Sequence, residues 1–214
     1  VEIVKNLSSV NKLKRLFEKT FGNDSITIPR IVEAIVAFEN KIVSRQSKFD
    51  KFLLDSSVFN EQEKQGYKLF RTVPNPVKGI RGAGCTLCHA GIDFNNVSSF
   101  NNGLDSVFQD KGVGGVSKMN YDDGTFIVPS LRNIELTSPY MHDGRFKTLD
   151  EVVNHYNTKI KNSITIAPFL FGMSNNVNEQ QLLLSKNECD DIILFLKTLT
   201  DYKLVANKAL SNPY

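Results

Sequence analysis

The run Cys85-Thr86-Leu87-Cys88-His89 constrains this chain more than any other stretch. Two thiols separated by two residues lie along one edge of a single turn, and the imidazole that follows projects beneath that edge. This spacing suits thioether attachment of a porphyrin through Cys85 and Cys88, with His89 reaching the iron. Two other uses of a Cys-x-x-Cys pair lack their remaining parts. A structural zinc site needs a second Cys or His pair at short spacing, whereas Cys189, His142 and His155 are scattered singly. A thioredoxin-like pair needs an alternating strand and helix pattern, which this sequence does not show.

The motif implies an exported protein, because such attachment takes place outside the cytoplasm; the periplasm is the expected compartment. No basic region followed by an apolar segment opens the chain at Val1, which reads as a processed or truncated start. The apolar stretches are too short and too interrupted to span a bilayer, so no transmembrane segment is expected. With 41% hydrophobic and 23% charged residues and a net charge of +3, the chain reads as globular and is a poor match to nucleic-acid binders. Cys189 falls on a helical stripe with Ile192, Ile193 and Leu196, which marks it as a packed structural thiol.

Helix signals dominate. A run from Val10 to Thr20 stops at Gly22. Thr27 and Pro29 open a second helix whose Ile31, Ala34, Ile35, Phe38 and Ile42 form a stripe expected to pack into the core. Asn60 with Glu63, Thr148 with Glu151, and Ser185 with Glu188 are capping-box pairs that open three more helices. Residues 95–124, rich in Asn, Gly, Asp and Ser, read as a long excursion of turns. The expected fold is mostly α, a c-type cytochrome fold with long irregular loops. Residues 1–56 are expected to form a helical inter-domain segment, and residues 57–214 a haem domain.

The residue opposite His89 decides what the iron does, and methionine, histidine and tyrosine are the available types. On the helix after Thr148, Leu149, Val152, Val153 and Tyr156 share the apolar face, so Tyr156 points inward. His155 falls off that stripe and reads as a partly exposed surface residue. Met119, Met141 and Met173 lie in expected loops, and the pattern leaves the choice among them and Tyr156 open.

Several further stretches carry a resemblance that covers nearly the whole chain. They are Ala34-Ile35-Val36-Ala37-Phe38 before Phe49-Asp50, Phe126-Ile127-Val128-Pro129-Ser130-Leu131-Arg132-Asn133, Thr137-Ser138-Pro139-Tyr140-Met141-His142-Asp143-Gly144-Arg145, and Leu194-Phe195-Leu196-Lys197-Thr198-Leu199-Thr200. In this order they resemble the bacterial dihaem cytochrome c peroxidases and their MauG-type relatives, specifically the C-terminal, electron-transfer haem domain. The resemblance implies a second haem domain upstream of Val1, one haem c on this chain, and peroxide reduction at the haem that the upstream part would hold. It implies hydrogen peroxide as substrate and a small cytochrome c or cupredoxin as electron donor, with a homodimer as the family's assembly.

The resemblance also implies roles for residues. Tyr156 stands where the peroxidases place a methionine ligand and the MauG-type enzymes a tyrosine, with Met173 and Met141 as alternatives. Thr137 and Pro139 match backbone ligands of a calcium ion, and Arg132 matches a residue near the haem propionates. Two further readings stand beside the peroxidase: a MauG-like enzyme that oxidises a protein side chain, and a monohaem electron-transfer subunit of a larger assembly.

Overall fold

The structure is a computed structural model and describes residues 2–170, 172–176 and 181–211. It divides into two compact units, one built from residues 2–44 with 206–211 and the other from residues 45–205. The division therefore falls after Ser44, ahead of the boundary expected after residue 56. The reason is aromatic: Phe49, Phe52 and Phe59 belong to the ring cluster of the second unit, with Phe49 and Phe94 centroids 4.9 Å apart.

The first unit holds helices α1 (Glu2–Ser8), α2 (Asn11–Phe21) and α3 (Ile28–Glu39). Helix α2 ends where Gly22 turns left-handed at φ +80°, a conformation that costs glycine little. The stripe on α3 is not core. Ile35 and Phe38 on the helix, and Ile42 just beyond it, are 51%, 48% and 47% exposed. Periodicity identified the helix correctly, but the unit is too thin to cover that face.

The second unit begins with α4 (Lys48–Phe52), opened by a Ser47–Asp50 capping box, then α5 (Glu61–Arg71), opened by Asn60 and Glu63. Helix α6 (Val113–Ser117) is one short turn inside the long excursion. A two-residue ladder of β1 (Ser99–Phe100) with β2 (Phe126–Ile127) pairs Ser99 with Ile127 and Phe100 with Phe126, and closes that excursion. Helices α7 (Leu149–Thr158) and α8 (Lys186–Lys197) both start at their expected capping boxes, and α9 (Tyr202–Val205) follows. Among the described residues no helix is long and apolar enough to cross a membrane.

Helix α8 lies across α5, and Gly66 sets the depth of the crossing. A Cβ on Gly66 would stand 1.9 Å from the Asp191 carbonyl oxygen. Around this crossing Leu69, Phe70, Phe195 and Leu199 are almost wholly buried, and the Phe70 and Phe195 rings sit 5.1 Å apart. Burying one such side chain stabilises the fold by about 1.5–3 kcal/mol, so this aromatic knot is the rigid base on which the following loop rests.

Candidate haem-attachment site

The loop that carries the thiols is stitched to the end of α5. Ala83 N–H donates to the Leu69 carbonyl at 2.8 Å, and Gly84 N–H to the Thr72 carbonyl at 2.9 Å. The Thr86 hydroxyl donates to the Arg71 carbonyl. Residues Cys85–Leu87 then make one 3-10 turn, closed by Cys88 N–H and His89 N–H on the Cys85 carbonyl. One carbonyl thus gathers both thiols and the imidazole into a single turn, as the spacing implied. Neither thiol is in a disulfide.

His89 is oriented by Phe94, whose carbonyl oxygen lies 3.0 Å from Nδ1. A carbonyl can only accept, so Nδ1 carries the proton and the lone pair resides on Nε2, the arrangement a metal-ligating histidine needs. Burial lowers the imidazole's pKa, against the pull of the Phe94 and Pro129 carbonyls, and so favours the neutral, ligating form.

Tyr156 stands near this turn. Burial pushes its phenol up to about 12, with Asn102 pulling the other way and the Cys88 and Cys85 sulfurs adding to the rise. Burial likewise pushes Cys85 to about 12 and Cys88 to about 11. Yet Cys85, Cys88, His89, Tyr156 and Met141 each retain accessible surface. These side chains are set deep enough for such shifts without being sealed over. Two thiols in one turn, an imidazole with its lone pair at Nε2, and a phenol close enough to feel both sulfurs form a donor set that a covalently attached haem can use.

The His155 side chain, expected at the surface, is 2% exposed. Its Nε2 reaches the Asn102 backbone carbonyl at 3.0 Å, while the Asn102 side-chain amide donates to Tyr156 Oη and to Met141 Sδ, each at 3.4 Å. The loop after β1 supplies a partner that α7 alone could not reveal. Asn102 escaped the sequence reading for the same reason, since an Asn in an Asn-rich loop carries no periodic signal.

Met173 is buried, with its sulfur against Gly84, the residue before Cys85. Met141 holds a left-handed backbone at φ +71°. Met119 is 49% exposed.

The Arg132 fork is paired with Asp50. Its NH1 and NH2 groups donate to Asp50 at 3.1 and 2.8 Å, and Nε donates to the Ile92 carbonyl. The side chain is 5% exposed, and a guanidinium taken that far from water needs a paired carboxylate. Burial raises the Asp50 carboxyl, but Arg132 and Ser47 outweigh it and hold the pKa below the ordinary range. Thr137 and Pro139 are exposed in the turn ahead of Tyr140. Cys189 is half-buried against the core, with the Asn157 amide 3.6 Å from its sulfur.

Beside Asn102 opens a cleft of about 310 Å³, lined by Asp105, Phe126, His142, Asp143 and Arg145 among others. His142 stacks on Phe126 at 3.9 Å, and Arg145 bridges Asp105 and Asp143. A larger hollow of about 420 Å³, lined by Lys48, Lys51, Lys197 and Lys203 among others, includes none of Cys85, Cys88, His89 and Tyr156.

Known proteins resemble this chain in sequence and fold. A family model described as di-haem cytochrome c peroxidase matches residues 1–57. A cytochrome c551 peroxidase of Nitrosomonas europaea is 35% identical over 209 residues, covering 94% of this chain and 54% of that protein. The methylamine utilization protein MauG of Methylophilus methylotrophus is 28% identical, covering 92% of this chain and 54% of its own length. The crystal structure of a MauG-like protein associated with microbial copper homeostasis superposes with a TM-score of 0.81 at 27% identity, over 99% of this chain and 65% of that one. The chain spans about half the length of the curated relatives it matches. With its attachment turn, its mostly helical fold and these relatives, the chain belongs to the dihaem cytochrome c peroxidase and MauG family.

Proposed function

We propose that this chain is the electron-transfer haem half of a periplasmic dihaem oxidoreductase that reduces hydrogen peroxide with electrons from a small cytochrome c or cupredoxin. One observation supports the reading: the turn with Cys85, Cys88 and His89 lies near enough to the phenol of Tyr156 for both sulfurs to act on it. Cys85 and Cys88 would hold haem c covalently, and His89 Nε2 and Tyr156 Oη would be the ligands of its iron. Bound there, haem c supplies a one-electron redox centre.

The chain's own groups set the character of that centre. The Phe94 carbonyl makes the His89 imidazole a better donor by drawing on its Nδ1 proton. A tyrosine ligand favours a lower potential than a methionine would. Deep placement keeps Tyr156 protonated until a cation replaces its proton. The chain has no tryptophan, so electrons crossing it use other side chains or the backbone. Peroxide chemistry belongs, on this reading, to a second haem on a longer protein. Thr137 and Pro139 are part of the same proposal as backbone ligands of a calcium ion.

The test is intact mass, haem count and absorption spectrum of the protein isolated from its source. Two covalent haems on a longer chain support the proposal. One haem on a chain of this length overturns peroxide reduction and leaves a monohaem carrier.

Tyr156 also favours a second reading, in which the enzyme oxidises a protein side chain as the MauG-type relatives would suggest. Mixing the full protein with peroxide and a reduced small cytochrome separates the two. Rapid donor oxidation supports the peroxidase; a sluggish reaction with the donor and modification of a protein substrate supports the second.

A further inference from the structure

The amide of Asn102 has two N–H bonds, and the structure gives them different acceptors: Tyr156 Oη and Met141 Sδ, both at 3.4 Å. A phenol oxygen and a thioether sulfur are thereby neighbours of one nitrogen. Neither arrangement is incidental to a loose loop. The Asn102 side-chain oxygen accepts from Leu104 N–H at 3.3 Å, and its backbone carbonyl takes His155 Nε2, one residue before Tyr156 on α7. Its neighbour Asn101 is 2% exposed and donates to Ser163 and Thr165 hydroxyls. Asn102 is therefore fixed from both sides, and it grips α7 at two successive residues.

Met141 is fixed as firmly. Its φ of +71° is a region that side-chain-bearing residues seldom adopt, and such strain persists where the surroundings over-determine it. Here Tyr140 N–H donates to the Phe146 carbonyl at 2.7 Å, closing the loop, and Arg145 ties that loop to Asp105, three residues after Asn102. The fold thus spends backbone strain to bring a thioether to the amide that holds the phenol.

We propose that Asn102 is a positioning residue that presents two donors of opposite hardness, Tyr156 Oη and Met141 Sδ, toward one coordination position, Met141 being the replacement donor when Tyr156 is withdrawn. The inference rests on the reading of Tyr156 as the sixth ligand. Phenolate is the harder donor and suits the oxidised metal; thioether is the softer and suits the reduced one. Asn102 favours Tyr156 by donating to its oxygen, which supports the anionic form.

Four forms of the full, haem-loaded protein test this: wild type, Tyr156→Phe, Tyr156→Phe with Met141→Leu, and Asn102→Ala. Resonance Raman reads the phenolate, near-infrared magnetic circular dichroism reads the thioether, and redox titration reads the midpoint potential. Tyr156→Phe is expected to lose the phenolate bands, stay low-spin with a thioether band, and shift its potential upward; the double variant is expected to become high-spin. Asn102→Ala is expected to weaken the phenolate bands and raise the potential.

If Tyr156→Phe is high-spin and matches the double variant, Met141 is no replacement donor and the inference is overturned, with the Tyr156 reading intact. An Asn102→Ala protein with wild-type bands and potential removes the positioning role. If Tyr156→Phe leaves the wild-type spectrum unchanged, the ligation reading itself fails. Should Asn102→Ala fail to fold, the Tyr156 series decides Met141 independently.

Discussion

Replacing Gly66 with alanine sets helix propensity against packing. In an open helix interior the change would stabilise the chain by roughly 1 kcal/mol. At this position the new Cβ would lie 1.9 Å from the Asp191 carbonyl oxygen and 2.4 Å from its carbon, both backbone atoms of α8. Relieving that overlap to ordinary contact requires α5 and α8 to part by about 1.5 Å. Parting them loosens the ring cluster around Phe195, and overpacking of this kind costs about 1–3 kcal/mol and occasionally more.

With contact to two backbone atoms the upper part of that range applies, and a net loss of about 2 kcal/mol remains after the propensity gain. Urea unfolding of the haem-loaded protein, with a slope of about 2 kcal/mol per molar, should show the midpoint fall by about 1 M. Because Ala83 and Gly84 hang on the end of α5, the yield of covalently attached haem should fall as well. Gly115 is the control: a Cβ there meets a neighbour no closer than 3.8 Å, so Gly115→Ala should be neutral or stabilising. A Gly66→Ala protein as stable as wild type would refute the close crossing of α5 and α8.

Other perturbations follow from the same structure. Arg132→Met leaves the Asp50 carboxylate buried without its partner and should cost about 3 kcal/mol in thermal or urea unfolding, much of it recovered by adding Asp50→Leu. Glu188 is held at about 2 by its hydrogen bonds to Arg81, so that pairing contributes in full above the ordinary carboxyl range near 4.5. Its stabilising effect should be lost as pH falls from there toward 2, and Arg81→Met should flatten that part of the stability curve; an unchanged acid limb would contradict the pairing. Replacing Cys85 and Cys88 together by serine should leave any haem extractable with acidified solvent, and haem surviving on a denaturing gel would show attachment elsewhere.

The sequence exposed what is local. A capping box needs residues only three apart, so the starts of α5, α7 and α8 were readable to the residue, as was the attachment turn. The Ser47–Asp50 box departs from the pattern, which calls for glutamate or glutamine at its third position, and was missed. Partners drawn from distant segments were not readable: periodicity put His155 off the apolar face of α7, but its partner is a backbone carbonyl of the loop after β1. The stripe on α3 shows the converse, since an apolar face signals a helix without saying what covers it. The Asp50 partner of Arg132 was equally unreadable, because a fork that fits a propionate also fits a carboxylate 82 positions away in the chain.

The stitching of the attachment loop onto α5 bears on the order in which the molecule is made. Four of the contacts that shape that turn join residues no more than 15 apart in the chain, Leu69 with Ala83, Thr72 with Gly84, Arg71 with Thr86, and Cys85 with His89, while Asn175, which holds Gly82 with two hydrogen bonds, comes later. The α7 and α8 segments, which bring Tyr156 and close the aromatic knot, come later in the sequence. A chain synthesised from its N-terminus can therefore shape the turn on short-range contacts before the long-range ones that bury it are available. In that interval both thiols are open to solvent and free of the burial that later raises their pKa. Covalent attachment is consequently easiest during maturation, and the finished fold locks in a bond that it would be slow to form.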